Sequence, residues 1–246
     1  MPDKSPLEQI LDAFETQGFV RLEPDSFSTE WVEKAKPLAD EEVRKSEPSK
    51  PGWHNLQLKL PMPRHEVLMR VMDELLAQKL SIPQSAQLST LANGFDKSER
   101  RHHCHVDGYD RKDEEDQGTL AWHALLIGVL IVNLPDRDGL GNPVVWPGSH
   151  RLTRRTLSAI KSDATSRSVG DAIWNAPASS QSMQHLRLHG PAGTIFVMDH
   201  DIHHGMIPHT DPDFLRHIAY YRVPDTATDK VHYIVDRDHF FRSRSR

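Results

Sequence analysis

Hydrophobic residues recur with helical spacing in the first third of the chain. Leu7, Ile10, Leu11 and Phe14 follow the i, i+3, i+4, i+7 spacing, which predicts an amphipathic helix over residues 5–17 that ends at Gly18. The same periodicity predicts further helices from Ser28 or Thr29 to about Lys45, with Pro37 breaking or kinking that helix, and over 66–79 and 151–161.

Elsewhere the pattern changes to short apolar or alternating runs that are separated by turn residues. Such runs predict strands at 19–22, 53–60, 86–92, 101–107, 120–133, 143–146, 184–188, 193–199, 203–207 and 216–223. Many short strands of this kind are typical of β-sandwiches and barrels. We therefore predict a mainly β fold with flanking helices, in which the core is largely antiparallel and the helices pack outside it.

The chain shows neither an internal repeat nor a composition shift that would mark a domain boundary. We expect a single domain over residues 1–246, with N-terminal helices at about 5–80 and a β-core at about 85–225. The charged loop at 107–118 and an insert at about 162–184 are the candidate lid segments, and 226–246 ends in a solvated basic tail.

Composition narrows the function classes. A net charge of -5 provides no basic surface for nucleic acid or an acidic membrane. The single cysteine, Cys104, excludes an internal disulfide, and the N-terminus lacks a signal-peptide pattern. The longest apolar run, Ala124 to Val132, is too short to span a bilayer, so we expect a cytoplasmic protein. The 16 histidines supply imidazoles that suit a metal or acid–base site.

The most informative short motif is His-x-Asp at His105 and Asp107. On an extended segment these two side chains share one face, where a second histidine would complete the two-His, one-carboxylate set that holds non-haem Fe(II). A further copy, His209 and Asp211, shows that the motif alone is weak evidence. That copy precedes Pro212 and is expected to lie solvated in a turn.

Four further features follow in order along the chain. Val144 to His150 is predicted to be an apolar strand that ends in a sharp turn, and Gly193 to Met198 a strand that begins at a glycine. It leads into a segment with three candidate histidines, His200, His203 and His204, and then to Arg216 before an apolar-aromatic run. His203 and His204 point to opposite faces of a regular strand, so only one of them can be a ligand.

This ordered set, over about residues 85–223, resembles the phytanoyl-CoA dioxygenase family of Fe(II)- and 2-oxoglutarate-dependent oxygenases. The resemblance implies a double-stranded β-helix, or cupin-like jelly roll. It implies that Fe(II) is held by His105, Asp107 and His204, because the family's distal ligand directly precedes a small residue, here Gly205. His203 is the alternative ligand, and His200 is expected to lie near the site without ligating.

The resemblance also implies 2-oxoglutarate as co-substrate and O2 as oxidant. A guanidinium suits the buried far carboxylate of 2-oxoglutarate, which assigns that role to Arg216, with Arg222 as the fallback. Gln87 matches a family position that touches the co-substrate, and a polar residue of an edge strand is the alternative interpretation. Trp53, Gln57 and His103 are candidate pocket residues, whereas Cys104 should face away from the metal.

The expected reaction is hydroxylation of a small-molecule metabolite with release of succinate and CO2. Halogenating members of the family that the chain resembles lack the carboxylate that is present here as Asp107, so the resemblance implies hydroxylation or a related oxidation. Two alternatives stay open: a 2-oxoglutarate-independent metal enzyme on a cupin-like fold, and a non-catalytic jelly-roll binding module.

Overall fold

The computed structural model describes residues 4–46, 52–76, 82–92, 104–107, 123–158 and 183–224. Their helices are α1 (Pro6–Gln17), α2 (Ser26–Lys45), α3 (Glu66–Leu75) and α4 (Ser149–Ser158). Their strands are β1 (Phe19–Leu22), β2 (Gly52–Leu58), β3 (Ala86–Ala92), β4 (His123–Leu130), β5 (Pro143–Val145), β6 (Leu186–Arg187), β7 (Ile195–Asp199), β8 (His204–Met206) and β9 (Arg216–Pro224).

The strands form two antiparallel sheets. The larger has the order β1-β7-β4-β9-β3-β2, and the smaller has the order β6-β5-β8. Most neighbouring strands are not consecutive along the chain, so the chain crosses repeatedly between positions, as in a jelly roll. The prediction of a mainly β, double-stranded β-helix core with flanking helices is confirmed.

Alternating residues of the larger sheet bury two different faces. One face packs against α1, α2 and α3 through side chains that include Ile127, Val129, Ile195, Val197 and Tyr221. The opposite face packs against the smaller sheet. Its side chains include Leu126, Leu130, Phe196 and Ile218, and they cluster with Val145 of the smaller sheet. Burying one such side chain fully contributes about 1.5–3 kcal/mol to the free energy of folding. The alternation of side chains along each strand therefore determines which face packs against the helices and which against the smaller sheet.

Two helix boundaries differ from the sequence prediction. The second helix is capped by Asp25 rather than by Ser28 or Thr29, because Asp25 Oδ1 accepts from Ser28 N (2.7 Å) while Ser28 Oγ accepts from Asp25 N (2.9 Å). That helix continues through Pro37 without ending. The third helix ends at Leu75, before the predicted residue 79, because the buried Leu76 already adopts an extended backbone.

The strand predicted at 101–107 is reduced, among the described residues 104–107, to a single β-bridge at His105. His103, most of the loop at 107–118, most of the insert at 162–184 and the tail at 226–246 lie outside the described residues. Within the described ranges, no helix combines the length and apolarity that crossing a membrane requires.

Candidate metal centre

The site is built where the His-x-Asp segment meets strand β8. His105 and His204 lie directly opposite one another and exchange both backbone hydrogen bonds, each 2.9 Å long. Their rings share one side of this pair, with centroids 4.4 Å apart. Asp107 lies two residues beyond His105, and its carboxylate returns to the same side. A backbone pairing between segments almost 100 residues apart therefore brings the three side chains together.

The three side chains form a compact set of donor atoms. Asp107 Oδ1 lies 3.4 Å from His105 Nε2 and 3.5 Å from His204 Nε2, and one ligand atom from each residue falls within 4.8 Å of the others. Ligands held at about 2.1 Å from one ion at right angles lie about 3 Å apart, so a small closure would accommodate an ion. All three residues are half-buried, which leaves solvent access for further ligands.

A backbone contact orients His204. Its Nδ1 lies 3.1 Å from the carbonyl oxygen of Ile202 and donates a hydrogen bond to it. This contact assigns the tautomer that leaves the Nε2 lone pair free to face Asp107 and an ion. Metal-binding histidines typically have such a second contact, which holds the ring and strengthens Nε2 as a donor.

The other two candidate histidines point elsewhere. His203 is completely buried, with Nε2 2.9 Å from Thr153 Oγ1 and Nδ1 3.7 Å from Cys104 Sγ. Burial lowers the pKa of His203 to about 4, so its ring is neutral near pH 7. His200 is also buried and lies outside the donor group. Of the three, the structure brings His204 to His105 and Asp107.

Asp107 is strongly held in its ionised form. Burial by itself raises the pKa of this carboxyl, but the close contacts with the imidazoles of His105 and His204 and the charge of Arg222 outweigh burial. The net effect is a pKa well below the usual range. The contacts of Asp107 therefore favour the charged form, which is the form that binds a cation.

Arg216 is a buried cation at the start of β9. Its side chain donates to Gly141 O and to Ser89 Oγ, both at 2.7 Å, while its Nε has no hydrogen-bond partner among the described residues. Burial lowers its pKa to about 10, and no carboxylate of the described chain lies within ion-pair distance of it. A buried guanidinium with a spare donor is suited to an incoming carboxylate.

Arg222 contacts both Asp107 and Gln87. Arg222 donates through one terminal nitrogen to Asp107 Oδ2 at 2.8 Å and through the other to Gln87 Oε1. The sequence predicts Arg222 as the fallback co-substrate contact, and Gln87 as either a co-substrate contact or an edge-strand polar residue. Strand alternation places Arg222 on the face of Arg216, but no local pattern indicates a partner 115 residues away.

The remaining candidates have mixed outcomes. His209, in the second copy of the motif, is buried, and its Nε2 lies 2.8 Å from the carbonyl oxygen of Phe214. The prediction that this histidine is solvated was therefore wrong. Its partner Asp211 instead pairs with Arg137 at the surface. Gln57 is exposed on β2. Cys104 is buried with Val144, Trp146 and Ile207. This cluster lies on the opposite face of the smaller sheet from the side chain of His204.

Known structures share this fold. SnoK, a non-heme alpha-ketoglutarate-dependent carbocyclase from nogalamycin biosynthesis, is 13% identical, with a TM-score of 0.51 over 93% of this chain and 92% of its own. EctD from S. alaskensis with bound Fe is 20% identical, with a TM-score of 0.55 over 89% and 77%. The epimerase SnoN, in complex with Fe3+, alpha-ketoglutarate and nogalamycin RO, is 15% identical, with a TM-score of 0.52 over 93% and 90%.

Sequence comparison adds no family assignment. No protein-family model matches the chain, and no curated protein matches it. The chain therefore shares the fold of non-heme, 2-oxoglutarate-dependent enzymes, and its own residues bring two histidines and a carboxylate together within that fold.

Proposed function

We propose that this protein is an Fe(II)- and 2-oxoglutarate-dependent oxygenase, similar to the phytanoyl-CoA dioxygenase family, that hydroxylates a small-molecule metabolite. The observation that carries the proposal is the grouping of His105, Asp107 and His204 around one shared position. Two imidazoles and one carboxylate with open positions beside them are the ligand set of non-haem Fe(II) oxygenases.

The described residues fit both the metal and the co-substrate. His105 Nε2, His204 Nε2 and Asp107 Oδ1 would hold the iron, and Arg216 would bind the far carboxylate of 2-oxoglutarate. When bound, the iron would activate O2, which is the oxidant. One oxygen atom would oxidise 2-oxoglutarate to succinate and CO2, and the other would be transferred to the substrate.

The chain's own contribution is binding and orientation. The hydrogen bond to Ile202 O holds His204 so that the lone pair of Nε2 would face the ion, and the contacts of Asp107 favour its ionised form. Arg216 lies on an interior strand face, where exclusion of water strengthens its attraction for a carboxylate. These groups are in place before any ligand arrives, which lowers the cost of ordering the site on binding.

The ligands of the neighbours and the net charge of the chain support a small-molecule substrate. SnoN is described with nogalamycin RO bound, and EctD with 5-hydroxyectoine, so both neighbours bind small organic molecules. A net charge of -5 favours a small-molecule partner over nucleic acid or a membrane. We also propose that the protein is located in the cytoplasm.

The proposal is tested by adding Fe(II) and 2-oxoglutarate to the purified protein without O2. A visible charge-transfer band should appear, and admission of air should yield succinate. His105→Ala, Asp107→Ala and His204→Ala should each abolish the band and succinate formation. His203→Ala should retain the band although it loses stability, and His189→Ala, at a half-buried position outside the metal group, is the matched control.

The alternatives have distinct signatures in the same experiment. Metal binding without a band or succinate would favour a 2-oxoglutarate-independent metal enzyme. Metal and 2-oxoglutarate binding without any turnover, across a panel of candidate substrates, would favour a binding module. Loss of metal from His203→Ala but not from His204→Ala would reverse the assignment of the distal ligand.

A further inference from the structure

We propose that Arg222, held by Gln87, is a positioning residue that keeps Asp107 a one-oxygen ligand and so preserves the coordination positions that the co-substrate and O2 require. The inference rests on the proposed metal site and extends it to two residues outside the ligand set. It begins from an asymmetry in the contacts of one carboxylate.

The two oxygens of Asp107 have different partners. Oδ1 faces the imidazoles, 3.4 Å from His105 Nε2 and 3.5 Å from His204 Nε2. Oδ2 accepts a hydrogen bond from Arg222 at 2.8 Å. A hydrogen bond from a guanidinium to a carboxylate is charge-assisted and about twice as strong as a neutral one. The carboxylate is therefore held with one oxygen towards the metal position and the other directed away from it.

Arg222 is itself held in place. Its second terminal nitrogen donates to the side-chain oxygen of Gln87, which lies on the adjacent strand β3, opposite Tyr220 in the β3–β9 register. Gln87 is thus a diagonal cross-strand neighbour of Arg222. An exposed arginine with one partner gains little from an ion pair, because ordering its side chain costs entropy. The second contact restrains the guanidinium while it holds Asp107.

The number of ligands gives this restraint a function. A six-coordinate ion with three protein donors has three positions left, two for the keto and carboxylate oxygens of 2-oxoglutarate and one for O2. A carboxylate that bound through both oxygens would occupy a fourth position. Co-substrate and O2 would then compete for the two that remain. Holding Oδ2 on Arg222 prevents this competition.

A competing role for Arg222 is direct contact with the co-substrate or the substrate. That role requires the guanidinium to leave Asp107 when the ligand binds. The two roles differ in what happens before any ligand is added: a positioning residue affects the metal site by itself, whereas a ligand contact does not.

The experiment uses Co(II) as the probe, because its visible absorption reports coordination number and ligand arrangement. The full-length protein is loaded with Co(II), and the spectrum is recorded before and after titration with 2-oxoglutarate. Arg222→Met, Arg222→Lys and Gln87→Leu are compared with the wild type. Arg137→Met is the matched control, because it breaks a surface arginine–aspartate pair at Asp211.

Arg222→Met should change the Co(II) spectrum before any 2-oxoglutarate is added and weaken 2-oxoglutarate binding by about 10-fold or more. Arg222→Lys should retain part of the wild-type Co(II) spectrum and part of the 2-oxoglutarate affinity. A lysine ammonium can donate to Asp107 Oδ2, but it lacks the planar guanidinium that also donates to Gln87. Gln87→Leu should give an intermediate result, and Arg137→Met should match the wild type.

Two results would overturn the inference. An unchanged starting spectrum with weaker 2-oxoglutarate binding would make Arg222 a ligand contact. An unchanged spectrum and an unchanged affinity would make it a surface arginine. Failure of the wild type to bind Co(II) would instead overturn the proposed metal site, so the two failures are distinguishable. Circular dichroism and thermal unfolding establish that each variant is folded.

Discussion

At the scale of single residues, side-chain direction separates neighbours of the same type. His203 and His204 are adjacent, yet one bonds Thr153 inside the protein and the other faces Asp107. Arg216 and Arg222 lie on one strand, yet one is buried without a carboxylate among the described residues and the other pairs with Asp107. In both pairs the residue types are the same, so the partner that each side chain contacts determines whether it is suited to bind a metal ion or a carboxylate.

Arg216→Met is predicted to separate ligand binding from stability. The variant should bind 2-oxoglutarate about 100-fold more weakly, because a buried charge partner is removed. Without ligand, its free energy of unfolding should match or exceed that of the wild type, since a buried cation that lacks a carboxylate partner is costly. Urea unfolding with and without 2-oxoglutarate measures both effects.

At 100 times its dissociation constant, 2-oxoglutarate should stabilise the wild type by about 2.7 kcal/mol and the variant hardly at all. Arg187→Met, which removes a surface arginine paired with Asp136 and Asp138, should retain the full ligand effect. A variant that is still stabilised fully by 2-oxoglutarate would show that another cation binds the far carboxylate.

At the scale of elements, helix α4 links the N-terminal helix α1 to strand β8, which carries His204. Gly148 N donates to Gln17 O at 2.8 Å, and Glu15 O is contacted by His150 Nε2 at 3.1 Å, so α4 satisfies carbonyls at the end of α1. From the same helix, Arg154 pairs with Asp199 and Asp201, in the turn that leads to β8. This helix therefore supports the backbone that carries His204.

Gly18→Ala is predicted to damage this junction. Gly18 has a φ of 80°, and a Cβ there would overlap the imidazole ring of His150. Gly148 has a nearly identical φ of 81°, but the nearest atom to its Cβ position is 3.8 Å away. Gly148→Ala should therefore cost only left-handed backbone strain, about 1–2 kcal/mol. Gly18→Ala should cost a further amount of about 1–3 kcal/mol from overpacking.

The measurement is the free energy of unfolding in urea for both variants under one set of conditions. The difference between the two variants isolates the steric contact with His150, because the backbone strain is common to both. Equal losses of stability would show that α4 shifts freely relative to the end of α1.

At the scale of the whole molecule, the helix layer and the larger sheet enclose titratable groups. His217 lies on the helix-facing side of β9, with Nδ1 3.0 Å from Thr90 Oγ1 and Nε2 3.5 Å from Asp40 Oδ1. Burial lowers its pKa from 6.5 to about 4, although the charge of Asp40 opposes this shift. The folded protein thus keeps this ring neutral at pH values where the unfolded chain protonates it.

The consequence is a loss of stability in acid. Between pH 6.5 and about 4 the unfolded chain binds the additional proton, so the free energy of unfolding falls as the pH falls through this window. The shift corresponds to about 3 kcal/mol. His217→Asn keeps a hydrogen-bonding group near Thr90 but does not titrate, so it should lose this part of the slope.

Urea unfolding from pH 4 to pH 8 tests the assignment. Other buried histidines also contribute in the wild type, so the informative quantity is the difference between wild type and His217→Asn. That difference should be constant above pH 7 and should shrink as the pH falls towards 4. A difference that does not change with pH would exclude His217 as a source of acid sensitivity.

Much of the fold follows from local pattern. The spacing of Leu7, Ile10, Leu11 and Phe14 predicts α1, and the alternating apolar residues of β4 and β7 face two different layers. Boundaries were less predictable, because capping depends on which side chain reaches the free backbone groups. Asp25 caps α2 although Ser28 and Thr29 are equally suitable by type.

The sequence by itself determined the residue types of the site, their order along the chain and the periodicity of the elements that carry them. These are local properties, readable within a few residues. The tertiary structure decided that His204 rather than His203 faces Asp107, and that Arg222 contacts the carboxylate. Both outcomes depend on strand register between segments about 100 residues apart, where a shift of one residue would reverse every side chain.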